Sequence, residues 1–230
     1  MDTMGSWEET EKMNRIITIG REFGSGGKEI GTKLAKHLDI NCYDKELLEL
    51  ASKESGFSTK VLESHDEKPI NSFFYSLVVD SSNPRNGLGN YFELPINQKI
   101  FLAQFETIQR LAKRESCVIV GRCADYALET FPTVFSIFIC GDLEDRVNRI
   151  AKKYDFSKKK SMELITRTDK KRASYYNYYS DRKWGVASTY DLTLNSSRLG
   201  EDGCVEMILR FLDLSRSWKN KKNQQNESES

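Results

Sequence analysis

Apolar positions fall into two alternating rhythms along the chain. Runs of β-favouring residues at 16–19, 117–120 and 134–140 read as buried strands. A shorter strand is expected at 41–44 and a last one at 190–194. Between them, helical spacing takes over. Ile30, Leu34, Ala35 and Leu38 predict a helix over 28–37, and Leu47, Leu48 and Leu50 one over 45–55 that ends at Gly56. Ile100, Phe101, Phe105, Ile108 and Leu111 give a long helix over 96–114. Leu143, Val147 and Ile150 mark another, Leu164 and Ile165 a segment from Ser157 or Ser161 to about Tyr179, and Val205, Ile208 and Leu212 a final helix over 202–218. Strands alternating with helices predict an α/β domain whose parallel sheet is covered on both faces. In such a sheet crossovers are right-handed and ligands bind at the carboxyl ends of the strands.

Three stretches break the pattern. Residues 1–14 are polar and acidic, which predicts a loose arm, and Met13 is an alternative start. Residues 57–90 are mixed: Phe73, Phe74, Leu77 and Val78 suggest a short helix before a Ser, Asn, Pro and Gly loop at 80–89. Such a stretch serves as a mobile or substrate-binding insertion or as a packed surface excursion. Residues 219–230 hold almost only Lys, Asn, Gln, Glu and Ser, and predict a disordered tail with nothing to bury.

Composition narrows the function. Lysine and arginine number 35 against 34 acids, so no global charge attracts nucleic acid or a membrane surface. No apolar run reaches membrane-spanning length and no signal-peptide core opens the chain, so a soluble cytoplasmic protein is expected. The five cysteines are scattered without a C-x-x-C pair, which argues against zinc and disulfides. Of two histidines, His37 sits at a predicted helix end, where capping explains it.

The chemistry gathers at residues 24–31, Gly-Ser-Gly-Gly-Lys-Glu-Ile-Gly, between the first strand and the first helix. Glycines let backbone N–H groups converge on an anion, the helix N-terminus adds its dipole and Lys28 a point charge. The segment reads as the phosphate-binding loop of a P-loop kinase. In the pattern G-x-x-x-x-G-K-[ST] registered on Gly27-Lys28, Glu22 replaces the first glycine and Glu29 the magnesium-binding hydroxyl. Four clusters should share that sheet edge. Asp44 caps the next helix or contacts substrate or metal. Arg122, after the strand at 117–120, offers a planar fork to phosphate or a base, or else pairs with Asp125 or Glu129. Arg146, Arg149, Arg167, Lys170, Lys171 and Arg172, with Asp169 among them, form a basic run suited to a closing lid. Arg167 and Arg172 are too far apart on a helix for all of the run to point inward. The aromatics 175, 176, 178, 179 and 184 stack on a base or, the favoured reading, pin that lid to the core.

These segments together resemble the cytidylate kinase-like family, relatives of the nucleoside monophosphate kinases. The resemblance rests on residues 17–31, on Tyr43-Asp44-Lys45-Glu46-Leu47, and on residues 118–125, 169–176 and 190–197, in order from about 15 to 215. It implies the three-layer P-loop NTPase fold, a central parallel sheet with helices on both faces and a helical lid. The kinase domain would span 15–218, with an acceptor-side insertion at about 57–95 and the lid at about 152–185. It implies transfer of the γ-phosphoryl group from ATP with Mg2+ to a small acceptor, CMP or dCMP first among them, in a monomer or homodimer. Carried over, Gly24, Ser25, Gly26, Gly27, Lys28 and Glu29 would hold the ATP phosphates. Asp44, Arg122 and Asp125 would serve the acceptor, and Lys28, Asp169 and Arg172 the transfer. The chain departs from the family pattern by lacking the loop hydroxyl and by carrying Val120-Gly121-Arg122-Cys123 where cytidylate kinases have Asp-Gly-Arg-Asp. The metal ligands stay open among Glu22, Glu29 and Asp44. The departures keep two other readings in play, a kinase for a different metabolite and a nucleotide-binding regulator that has lost catalysis.

Overall fold

In the computed structural model, which describes residues 14–65 and 94–228, β1 (Ile16–Arg21) is the middle strand of a parallel sheet. The other strands are β2 (Asn41–Tyr43), β3 (Cys117–Val120), β4 (Val134–Cys140) and β5 (Leu192–Asn195), in the order β2-β3-β1-β4-β5. Ile16 pairs with Cys117 on one side and Val134 on the other, and this register brings the carboxyl ends of the strands to one edge.

The period of two along β1 and β3 divides the core. Ile17, Ile19, Val118 and Val120 face α1 (Gly27–Leu38) and α8 (Ser196–Ser228), packing on Ile30, Leu34, Ile208 and Leu212. Ile16, Cys117 and Ile119 face the opposite layer, where α2 (Glu46–Ser55) contributes Leu47, α4 (Ile96–Arg114) Ile108 and Leu111, and α5 (Ala124–Ala127) its two end alanines, with Leu128 just after it. These isoleucines have no accessible surface, and burying each is worth roughly 1.5–3 kcal/mol. A third cluster on that side is aromatic: Phe138 of β4 meets Tyr175, Tyr176, Tyr190 and Phe101. Tyr175 and Tyr176 belong to α7 (Lys158–Ser180), a long helix that follows α6 (Leu143–Tyr154). The aromatic run of α7 thus pins it to the core, the reading favoured from the sequence.

Two elements differ from what periodicity predicts. A seven-residue helix, α3 (Thr59–His65), lies in the stretch read as irregular, and its Leu62 packs with Leu48, Ala51 and Ile100. One apolar pair, Val61-Leu62, is too little to reveal a helical period. α8 begins at Ser196 but is interrupted at Gly200 (φ 68°, ψ 177°), so its amphipathic part begins after that glycine. At its far end the helical backbone reaches Ser228, into the segment expected to be disordered; Lys, Gln and Glu have good helix propensity even with nothing to bury. The expected helix at residues 73–78, the loop at 80–89 and the arm at 1–13 lie outside the described residues. Among the described residues no helix is long and apolar enough to cross a membrane.

Candidate functional site

The loop between β1 and α1 is held open by its own backbone. Gly24 (φ 83°) and Gly26 (φ 81°) take left-handed conformations that other residues adopt only at a cost. Gly26 is the N-cap of α1 and, being glycine, makes no side-chain cap bond. The first N–H groups of α1, which have no intrahelical acceptor, therefore face a cavity of about 380 Å³. Ser25, expected among the phosphate contacts, is buried and donates its hydroxyl to the Glu22 carbonyl oxygen at 2.9 Å. Its hydroxyl shapes the loop.

Lys28, in the first turn of α1, is half-exposed and reaches across the cavity to Asp44, Nζ to Oδ2 at 2.8 Å. The other Asp44 oxygen lies 3.4 Å from Nη1 of Arg122, a guanidinium with almost no accessible surface. Arg122 is aimed there by an unusual turn: Gly121, Arg122 and Cys123 all have positive φ, at 82°, 55° and 53°. Two of these are not glycine, and each such residue costs of order 1 kcal/mol or more unless its surroundings enforce it. Asp44 does not cap α2, whose N-cap is Lys45 with no side-chain cap bond, so the capping explanation gives way to the ionic one. Arg122 likewise pairs with Asp44, and it is Arg182 that meets Glu129 and Asp125.

Burial alone would raise the Asp44 carboxyl, but the hydrogen bond from Lys28 and the charges of Arg122 and Arg21 outweigh it and hold it below its ordinary 3.8. The unfolded chain then binds more protons than the folded one as pH falls through that interval. The stability contributed by Asp44 is present above pH 3.8 and lost as pH drops through the lower folded value. An Asp44→Asn protein should therefore show a shallower loss of urea midpoint than the wild type between about pH 4 and pH 2. Parallel pH profiles would remove Asp44 from the acid limb.

A second set of contacts fastens the loop to α6 and α7. Arg146, buried on α6, pairs with Asp169 of α7 at 2.6 Å and donates to the Phe23 carbonyl oxygen at 3.3 Å. The other Asp169 oxygen accepts the Phe23 N–H at 2.7 Å. Glu22 accepts the Gly141 N–H at 2.9 Å and lies 3.5 Å from Arg146 Nε, while burial pushes its carboxyl up. Arg172 donates to the Arg21 carbonyl oxygen at 3.1 Å, its guanidinium 5.5 Å from the centre of the Phe23 ring. Glu29, in the place of the loop hydroxyl, pairs with Lys153 at 2.9 Å. Against the opposing effect of burial, the hydrogen bond from Lys153 keeps the Glu29 carboxyl below its usual range.

The structure thus brings Lys28, Glu29, Asp44, Arg122 and Arg172 to one cavity, with Asp169 behind the loop as its support. Asp125 stands apart: it is deeply buried and accepts from the Tyr176 hydroxyl, with Arg182 at 3.9 Å. Arg149 also lines the cavity, whereas Arg167 and Lys170 are exposed on α7, which agrees with the expectation that the run cannot all point inward. Arg21, Lys45 and Lys153 line it too and were not singled out from the sequence. Their one visible signal was position, since Arg21 closes the strand before the glycine loop and Lys45 follows Asp44.

The chain matches the cytidylate kinase-like family over residues 16–198. An uncharacterized protein from Eubacterium ventriosum ATCC 27560 shares 31% identity, with a TM-score of 0.64 over 87% of this chain and 99% of its own. Shikimate kinase from Bacteroides thetaiotaomicron shares the fold at a TM-score of 0.51 and 13% identity, over 86% of this chain and 98% of its own. Among curated proteins the sequence finds no significant match. The family match runs from the first residue of β1 into α8, taking in the loop, Asp44, Arg122 and the α6 and α7 attachments; the chain belongs to the cytidylate kinase-like family.

Proposed function

We propose that the protein is a kinase that moves the γ-phosphoryl group of ATP to a small acceptor, with CMP or dCMP the first to test. One observation carries this reading: a single cavity sets the glycine-capped start of α1 and Lys28 opposite Asp44 and Arg122. The backbone of Gly24, Gly26 and Gly27, together with Lys28, would hold the nucleotide phosphates. ATP would supply the phosphoryl group, and Mg2+ bound with it would offset the phosphate charge. Magnesium takes one or two protein carboxylates and completes its shell with phosphate oxygens and water. Among the described residues no three acidic, histidine or cysteine side chains cluster as a metal site, so Glu22, Glu29 or Asp44 would supply a single carboxylate and phosphate oxygens and water the rest.

Phosphoryl transfer is governed by positioning and charge more than by a strong base. In CMP or dCMP the accepting atom is an oxygen of its own phosphate, so Asp44, held ionised between Lys28 and Arg122, would fix those two cations in place while the γ-phosphorus bonds to that oxygen and its bond to ADP breaks. Lys28 and Arg172 would share the negative charge of the moving group. A second reading, an acceptor other than a cytidine nucleotide, is favoured by Asp125, which serves Tyr176 and Arg182 rather than the loop cavity.

The test is ADP release from MgATP with CMP, dCMP, UMP, AMP and simple sugars. Release that depends on CMP or dCMP is the expected result, and release with another member of the panel selects the second reading. No release with any acceptor, while ATP still raises the melting temperature, would leave a binding protein and sink the transfer reading.

A further inference from the structure

Asp125 lines not the loop cavity but a smaller neighbour of about 20 Å³, in company with Arg122, Arg172 and Tyr176. Arg122 and Arg172 line both cavities. The chain relates these four residues in pairs. Asp125 lies three residues after Arg122, across the Gly121–Cys123 turn, in the first turn of α5. Tyr176 lies four residues after Arg172 on α7, which puts the two on one face of that helix. The Tyr176 hydroxyl donates to Asp125 Oδ2. One hydrogen bond therefore joins the segment that carries one cavity arginine to the segment that carries the other.

The Arg122 segment does not hold its own place. α5 has four residues, too few for a helix to be stable by itself. The turn before it keeps Arg122 and Cys123 at positive φ, a conformation that persists only where the surroundings enforce it. The Ala124 N–H donates to the Gly121 carbonyl oxygen at 3.1 Å, Ala124 and Ala127 pack in the core, and Asp125 is fastened to α7. The fastening is doubled, since Arg182, just past the end of α7, lies 3.9 Å from Asp125 and also pairs with Glu129. With 9% of its side chain accessible, Asp125 is committed to these contacts. Tyr176 sits in the aromatic cluster, which its ring alone would serve, and its hydroxyl adds the bond to Asp125.

Resting on the reading of the loop cavity as the seat of phosphoryl transfer, we infer that Asp125 and Tyr176 are positioning residues for that step. Their bond sets the distance between Arg122 and Arg172, so that both guanidiniums approach the moving group together. A displacement of about 1 Å at such a site costs as much as about 100-fold in rate. Nucleotide in its ground state rests instead on the loop backbone and Lys28, which this bond does not touch. The signature of the pair is thus a loss confined to the transition state.

The experiment is calorimetric titration of the full chain with ADP and Mg2+, with and without aluminium fluoride, whose complex on ADP stands in for the phosphoryl group in transfer. In the wild type aluminium fluoride should tighten ADP binding at least about tenfold. Tyr176→Phe should lose most of that gain, while its affinity for ADP alone stays within about threefold of the wild type. The Asp125 carboxylate is not stranded in that variant, because Arg182 remains at 3.9 Å. Asp125→Asn, whose amide oxygen still accepts from the Tyr176 hydroxyl, should keep more of the gain than Tyr176→Phe. The double variant should lose no more than Tyr176→Phe alone, since the two changes break one bond. Melting curves establish that each variant is folded, and a partial loss in Asp125→Asn carries the test if Tyr176→Phe is not. Failure of the wild type to bind ADP would overturn the nucleotide reading, and this inference with it. ADP binding with no gain from aluminium fluoride would overturn the transfer reading in the same way. A gain equal in wild type and variants would overturn the positioning role alone. Parallel loss of ADP binding with and without aluminium fluoride would make the bond a general support and overturn that role equally, as would losses that add in the double variant.

Discussion

Alanine in place of Lys28 is expected to lower acceptor-dependent ADP release by at least about 100-fold, the usual cost of removing a charge-stabilising donor at the reacting group. The urea midpoint should hardly move. Lys28 is half-exposed, with 49% of its side chain accessible, so its ion pair with Asp44 is worth about 1 kcal/mol or less to folding. The Asp44 carboxylate is not stranded by the change either, because Arg122 remains at 3.4 Å and the charge of Arg21 still acts on it. Stability and activity should therefore separate in this variant. Steady-state ADP release beside a urea curve reads both, and a folded Lys28→Ala protein that turns over at the wild-type rate would remove the loop from the chemistry.

Asp169→Ala should behave in the opposite way and strike stability first. The change leaves the Arg146 guanidinium, 9% accessible, without its 2.6 Å partner, and leaves the Phe23 N–H without its acceptor. Breaking a largely buried ion pair from one side costs about 3–5 kcal/mol, because the surviving charge has lost its compensation. Some of this is recovered here, since Glu22 lies 3.5 Å from Arg146, so a loss of about 3 kcal/mol is the expected size. Asp169→Asn should cost less: an amide oxygen can still accept from Phe23, and only the ionic half is lost. Urea denaturation of both variants tests the ranking. A loss below about 1 kcal/mol in Asp169→Ala would mean that the contact with Arg146 is no more than a surface pair.

The sheet and its helices were legible because burial imposes a period. β1, β3 and β4 are apolar runs, α4 carries its apolar face over nineteen residues, and the glycine turn announces itself between strand and helix. The chemistry was legible only where it lies in local order. Lys28 follows its glycines directly, and Asp44 and Arg122 each follow a strand. Their partners were not. Nothing in the composition around Asp44 says that it meets Lys28, because the pairing is made by the placing of β2 and α1 across β3. Asp169 stood out as a candidate for catalysis, yet its partners are Arg146 and a backbone N–H, and a backbone group carries no sequence signal. Arg21 was hardest to see. Its stem lies over Gly27 and its guanidinium over Gly121, a relation among three positions that only the folded chain brings side by side.

α7 is anchored at two distances along its length. Near its carboxyl end Tyr179 stacks on Phe101 with ring centroids 3.9 Å apart, and Tyr175 and Tyr176 sit in the aromatic cluster. About one to two turns before them, Asp169 and Arg172 grip the backbone at Phe23 and Arg21. The helix is thereby a lever with an aromatic fulcrum, and its grip falls on the residues that open the glycine loop. A swing that releases the grip must deform the loop, and a loop tightened on its ligand must resist the swing. By reciprocity, a ligand that steadies the loop holds the lever down by the same free energy with which the lever favours that ligand.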